Sequence, residues 1–228
     1  MVYLYAVTDR QAAPTGVLGL NESRLRAIPD DRVAVVVSDL EAPVEPTEAA
    51  LWRHEGVVEE LMHHGPVLPM RFGSTVPDEA AARRMLHERG GELSAGLDRV
   101  RGAVELGVRV LWEAPTGAQG ALVEGEEAAG AGGGAGTTYL MRRLGASRRS
   151  HSLADDIHAP LARLARSSTR RLLVTPRLLL SGAYLLEEGA TEDFRACVAE
   201  LDERLEEVAI LCTGPWPPYS FVPSGTVR

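Results

Sequence analysis

The segment that most constrains the fold lies near the end of the chain. There, Thr213-Gly214-Pro215-Trp216-Pro217-Pro218-Tyr219-Ser220-Phe221-Val222 combines three prolines with three aromatic residues. Proline lacks a backbone N–H and fixes φ, which excludes this stretch from a helix and from a central strand. A stiff aromatic ribbon cannot bury its own side chains, so it must lie across another surface. Residues 208–212 just before it predict a buried strand, and we expect that strand to deliver the C-terminal ribbon, residues 213–222, back onto the body of the protein.

Composition excludes several classes of protein. The 228-residue chain has a net charge of −8. This argues against a nucleic acid or an anionic membrane as partner, because both require a basic surface. All 24 basic residues are arginine, which excludes a phosphate-binding loop with its lysine and a pyridoxal Schiff base. We find no signal peptide and no apolar run of about 18 residues, and we expect a cytoplasmic protein.

Residues 1–114 predict a ferredoxin-like domain, in which an antiparallel sheet carries helices on one face. Apolar and β-branched runs predict four strands, at residues 2–7, 33–37, 67–70 and 104–112. Helices are expected from Asn21, after the cap Thr47, and from about Thr75 to Arg101 with an interruption at Gly90-Gly91. The order approximates the βαββαβ pattern, although the helix between the second and third strands departs from it.

The rest of the chain predicts a linker and a smaller α+β domain. Residues 115–136 are mostly Gly, Ala and Glu, a composition typical of a flexible linker or mobile loop. Residues 137–228 predict helix, hairpin, helix and strand, ending in the ribbon. The local signals are a helix from Tyr139, a capping box at Ser152 and Asp155, strands at 171–175 and 178–186, and a helix opened by Glu192 and Asp193.

The titratable residues form no recognisable catalytic or metal-binding motif. His54-Glu55 begins like the zinc-protease helix HExxH, but position 58 is valine, so a ligand is missing. We therefore expect His54 to be a partly buried helix residue. Cys197 and Cys212 lack the context of a nucleophile and are expected to be small core residues. The chain also has no Gly-x-Ser-x-Gly elbow. We therefore predict a non-enzymatic protein without a metal or cofactor.

Six residues are candidates for a structural or partner-contact role: Arg71, Phe72, Gly73, Glu105, Trp216 and Tyr219. For Arg71, the structural interpretation is a buried bidentate pair with Glu105 on a neighbouring strand, and contact with a partner is the alternative. Trp216 and Tyr219 each need a hydrogen-bond partner when buried. We expect them to be buried between the two domains, with docking of a partner protein as the alternative.

Several of these stretches resemble a known family. The C-terminal ribbon resembles the C-terminal signature of the gas vesicle protein family GvpF/GvpL, and Val67-Leu68-Pro69-Met70-Arg71-Phe72-Gly73 is similar to its central signature. Residues 102–110 and 2–7 also fit, with less specific strings. The resemblance spans most of the chain, and it implies a ferredoxin-like N-terminal domain.

The resemblance also implies a function. A member of this family is expected to be a non-enzymatic structural or accessory protein of gas vesicles, without a cofactor, in the cytoplasm at the vesicle. Its expected partners are the main shell protein, met during vesicle nucleation or assembly, and other gas vesicle accessory proteins. From the residues alone, a ligand-sensing ferredoxin-like regulatory protein stays open as an alternative.

Overall fold

The fold is taken from a computed structural model that describes residues 1–9, 16–112, 135–173, 175 and 177–223. Side chains are described throughout these ranges except at residues 135–147. The chain forms two compact units. The first contains Met1–Glu105 and the segment from Pro215 onward, and the second contains Leu106–Gly214.

The first unit holds a five-stranded sheet and two helices. The strands are β1 Val2–Asp9, β2 Arg26–Pro29, β3 Val33–Asp39, β4 Val67–Pro69 and β5 Thr75–Val76; the helices are α1 Glu48–His64 and α2 Glu79–Val100. The sheet order is β2-β3-β1-β4, with β5 also paired to β1, and every pairing with a defined register is antiparallel. Strand β4 therefore lies at an edge, where its proline is tolerated.

The strands at the centre of this sheet were predicted correctly. The β-branched run at the start of β3 is fully buried, as is nearly all of β1. Such runs favour strands that are covered on both faces. The expected helix from Asn21 is wrong, because Asn21 and Glu22 have φ of 52° and 56° in a short 3-10 turn. A left-handed backbone cannot continue a right-handed helix, and the chain goes on into β2 instead.

Both helices of the first unit follow their capping residues. Thr47 caps α1 as predicted, with its side chain accepting the Ala50 N–H. Helix α2 begins later than expected, after the cap Asp78, and it runs through Gly90-Gly91 without the predicted interruption. Buried Leu86 and Leu93 on either side of the glycines anchor α2, and this tertiary contact outweighs the low helix propensity of glycine.

The second unit contains a four-stranded sheet with the order β7-β8-β6-β9. The elements of this part of the chain are β6 Ala103–Trp112, α3 Ala135–Leu164, β7 Ser167–Leu172, β8 Leu178–Glu187, α4 Thr191–Arg204 and β9 Val208–Trp216. The first residues of β6 and the last two of β9 are counted with the first unit. Apolar side chains of β6, β8, α3 and α4 form one core that includes Val108, Ile157, Tyr184 and Phe194. The structure is thus a mixed α/β fold with two antiparallel sheets. The ferredoxin-like description is not confirmed, because β6 lies in the second sheet instead of completing the first.

Three further expectations for this part of the chain need correction. The expected capping box at Ser152 and Asp155 does not begin a helix, since α3 runs through both positions. Strand β9 is not buried: it is an edge strand whose residues are alternately half-buried and exposed, and it extends through Pro215 to Trp216. The predicted linker lies outside the described residues, apart from its last two positions, which begin α3. The segment from Pro215 joins the first unit instead of a domain spanning 137–228.

Candidate partner-binding surface

The stretch Val67 to Gly73, singled out in the sequence, consists of β4 and the start of a turn that follows it. We call this turn, residues 70–74, the central turn. Its two ends are fixed to β1 by the backbone. The Met70 N–H donates to the Tyr5 carbonyl at 2.8 Å, and the Leu4 N–H donates to the Ser74 carbonyl at 2.9 Å. Because β1 is buried at the middle of the sheet, the central turn has a rigid base.

A buried histidine fixes the middle of the central turn. His54, fully buried on α1, lies 2.9 Å from the Tyr3 hydroxyl through Nδ1 and 3.0 Å from the Met70 carbonyl through Nε2. The Tyr3 hydroxyl also accepts the Gly73 N–H at 3.0 Å. One neutral tautomer satisfies all of these bonds, with Nε2–H donating to Met70 and Nδ1 accepting from Tyr3. Burial lowers the pKa of His54 and raises the pKa of Tyr3 to about 12, so both groups are held neutral.

The central turn presents Arg71 to solvent and leaves Phe72 half-buried. The Phe72 ring packs edge-on against Tyr3 and His54, with centroids 6.2 and 5.9 Å apart. Gly73 has φ of +84°, a left-handed conformation that favours glycine. The expected Arg71–Glu105 pair is wrong: no ion pair joins these two described residues, because Arg71 is exposed and Glu105 is bonded elsewhere.

Two carboxylates hold the C-terminal ribbon on the first unit. Glu105, 8% exposed, accepts the Ser220 N–H at 2.8 Å and the Ser220 hydroxyl at 2.7 Å. Half-buried Glu55 accepts the Tyr219 hydroxyl at 3.0 Å. Burial raises the pKa of both carboxyl groups, and the hydrogen bonds from the ribbon partly oppose this. The ribbon therefore lies across the body of the protein, as the sequence predicted.

Apolar contacts complete the attachment of the ribbon. Phe221 is 8% exposed, and its carbonyl accepts from Arg99 of α2 at 3.4 Å. At Gly96 of α2, a Cβ atom would lie 2.9 Å from Leu68 and 3.2 Å from Pro223. Helix α2 therefore packs so closely against β4 and the end of the described chain that a Cβ atom at position 96 would be crowded.

Trp216 and Tyr219, expected to share one role, have different surroundings. Tyr219 is half-buried and bonded to Glu55 within the first unit. Trp216, at the end of β9, is 40% exposed, so a fully buried indole is wrong. Pro217 and Pro218 between them are buried. The ribbon is therefore anchored by Tyr219 to Phe221, while Trp216 keeps an accessible face.

Sequence reasoning missed the residues that do the positioning. His54 was expected to be a partly buried helix residue, and Tyr3, Glu55 and Ser220 were assigned no role. Each acts through a partner at least 16 positions away in the chain, which local periodicity does not reveal. The one available signal was chemical: a serine between two aromatic residues, and a histidine on an apolar helix face, both require a polar partner when buried.

The part of the chain that the structure describes contains no group of three or more His, Cys, Asp or Glu side chains placed to hold a metal ion. Within the same residues, no helix is both long enough and apolar enough to cross a membrane. Cys197 and Cys212 are free and half-buried, and burial raises the pKa of both thiols. Raised pKa values disfavour the nucleophilic thiolate.

Comparison with known proteins relates this arrangement to one family. The family model described as gas vesicle synthesis protein GvpL/GvpF matches residues 1–223. Gas vesicle protein F2 of Halobacterium salinarum is 27% identical, over 97% of this chain and 91% of that protein. Gas vesicle protein L of a Streptomyces species is 34% identical, over 74% of this chain and 66% of that protein. The crystal structure of gas vesicle protein GvpF from Anabaena has the same fold, with a TM-score of 0.80 and 20% identity over 100% of this chain and 98% of that one.

Proposed function

The chain belongs to the gas vesicle synthesis protein family GvpL/GvpF, and on that premise we propose that it is a non-enzymatic accessory or structural protein of gas vesicles. It contacts the main shell protein during nucleation or assembly of the vesicle, in the cytoplasm. The observation that carries the proposal is the match of the family model to residues 1–223. This match also favours the vesicle role over the regulatory alternative.

The geometry supports a contact role for the exposed part of the two signature segments. Each segment is held in place by a buried polar side chain: His54 binds the central turn, and Glu105 binds the ribbon. These two segments present an exposed guanidinium at Arg71 and a partly exposed indole at Trp216. Arginine and tryptophan on preorganised backbone are the residue types that most often dominate binding energy at protein interfaces.

The proposal is tested by replacing Arg71 in cells that make gas vesicles. We expect Arg71→Glu to reduce capture of the main shell protein by about tenfold or more and to lower the number of vesicles seen by electron microscopy. Its melting temperature should stay close to that of the wild type, because Arg71 is exposed and exposed substitutions change stability little. Arg84→Glu, at an exposed position on α2, is the control with the same change of charge.

Two results would overturn the proposal. One is normal vesicle formation after deletion of the whole gene, since an assembly protein cannot be dispensable for assembly. The other is equal loss of shell-protein capture in Arg71→Glu and Arg84→Glu, which would assign the effect to net charge instead of the central turn.

A further inference from the structure

Helix α1 has an outer face that carries an exposed tryptophan. Its buried face consists of His54, Val57, Val58 and Leu61. Trp52 lies away from that face and is 61% exposed, the largest exposed fraction among the large apolar side chains of the described residues. Its indole N–H donates to Glu48 one turn earlier at 3.3 Å. An indole of this size buries up to about 250 Å² when it is covered, so the face is a candidate interface.

A groove of about 370 Å³ lies beside Trp52 on the same face. Val17, Arg53, Gly56 and Glu60 line it together with Trp52. A Cβ atom added at Gly56 would meet nothing within 4 Å, so the helix backbone is open to a close approach there. The face thus combines a projecting side chain with a depression directly beside it.

The charges on this face are arranged so that the face complements itself. Arg53 and Glu60 both line the groove, seven residues or about 10.5 Å apart along the helix axis. Gly56 lies close to the midpoint between them. A two-fold rotation about that midpoint places the arginine of one helix opposite the glutamate of another, twice over. Glu60 also contacts His64 of its own helix at 3.2 Å, but a carboxylate has acceptor positions to spare.

We propose that a second copy of this chain docks on this face, with the two α1 helices antiparallel and crossing near Gly56. Arg53 of each copy pairs with Glu60 of the other, and Trp52 of each enters the groove of the other. Such an isologous contact repeats every interaction twice. The inference goes beyond the proposed function, because it concerns this chain alone and needs no other vesicle component.

The predicted dimer is weak and depends on concentration. One helix face per copy buries less surface than a standard stable interface, roughly 800 Å² per partner. The net charge of −8 on each copy adds a general repulsion. We therefore expect association in the micromolar range or weaker, and stronger association in salt that screens the net charge than at very low ionic strength.

Sedimentation velocity of the full chain over a range of concentrations tests the proposal. We expect Trp52→Ala to weaken self-association about tenfold or more, and Leu211→Ala, which truncates another exposed apolar side chain, to leave it unchanged. Arg53→Glu and Glu60→Arg should each be monomeric, because each brings like charges together twice. An equal mixture of the two single variants, and the double variant Arg53→Glu/Glu60→Arg, should dimerise again.

The charge swap separates a second copy from any other occupant. A chain that stays monomeric at every concentration overturns the proposal. So does a dimer that survives both single charge reversals. If Trp52→Ala abolishes vesicle formation while self-association is absent from the wild type, the face binds another protein, and the proposed vesicle role stands without the dimer.

Discussion

In the first unit, burial shifts the pKa of a histidine and the pKa of a glutamate in opposite directions. It lowers the pKa of His54 below its usual 6.5, so the contribution of His54 to stability is complete above pH 6.5 and declines as the pH falls through the folded-state pKa. It raises the pKa of Glu105 above its usual 4.5. The contribution of Glu105 is therefore complete below pH 4.5 and declines as the pH rises through the folded-state pKa.

The raised pKa of Glu105 predicts the behaviour of its neutral analogue. Glu105→Gln keeps a carbonyl oxygen for the Ser220 N–H and removes the buried charge. Relative to the wild type, the variant should gain stability as the pH rises from 4 to 7.5, because only the wild type must ionise a buried group. The measurement is the free energy of unfolding in urea at several pH values for both proteins.

Glu88→Gln is the matched control for this prediction, since it makes the same change at an exposed position on α2 of the same unit. An equal pH dependence in Glu88→Gln would assign the effect to the lost negative charge and not to the burial of Glu105. A Glu105→Gln difference that is independent of pH, or that grows on acidification, would contradict the assigned environment of Glu105.

At the scale of elements, α2 illustrates why a helix can contain glycines that its neighbours require. A Cβ at Gly96 would lie 2.9 Å from the side chain of Leu68, which is fully buried, and 3.2 Å from that of Pro223. At exposed Gly91, the nearest atom to a Cβ is a guanidinium nitrogen of Arg32 at 3.9 Å, an ordinary contact. The same residue type is therefore constrained at one position and free at the other.

These two glycines give a paired prediction. Gly91→Ala should stabilise the protein by about 0.5–1 kcal/mol through helix propensity alone. Gly96→Ala gains the same propensity but overpacks the contact with Leu68 and Pro223, and a net destabilisation of about 1–2 kcal/mol is expected. Urea unfolding of both variants checks this. Equal stabilisation by the two substitutions would mean that α2, β4 and the end of the ribbon are less closely packed.

Local patterns in the sequence were sufficient where an element is decided by its own residues. The β-branched run of β3, the Thr47 cap of α1 and the acidic start of α4 each specify their element within a few positions. Local patterns were insufficient where contacts with residues distant in the chain determine the element. The glycines of α2, the uninterrupted α3 and the edge position of β9 depend on neighbours that propensity does not describe.

At the scale of the whole molecule, the first unit is built from two separate stretches of chain. Assigning the ribbon to a domain at residues 137–228 assumed that domains follow chain order. The bonds that contradict this join Tyr219 to Glu55 across 164 positions and Ser220 to Glu105 across 115 positions. The same distance explains the error on Arg71: the carboxylate of Glu105 bonds to Ser220, which comes from the far end of the chain, and not to Arg71.

A discontinuous first unit predicts that residues 1–105 depend on the ribbon to fold stably. Without it, Glu105 and Glu55 lose their donors and the contact at Gly96 is opened, and each buried group left unsatisfied costs about 1–3 kcal/mol. Ser220 touches Glu105, so residue 215 lies within about 18 Å of that contact at full extension. A Gly/Ser linker of about eight residues should therefore join residue 105 to residue 215 without strain. We expect this joined chain, ending at Pro223, to unfold cooperatively in urea at a clearly higher midpoint than residues 1–105 alone.

The control is a joined chain with residues 215–223 in scrambled order, which should behave like residues 1–105 alone. If residues 1–105 are as stable without the ribbon as with it, the ribbon is not part of the fold of the first unit, and its buried carboxylates need another explanation.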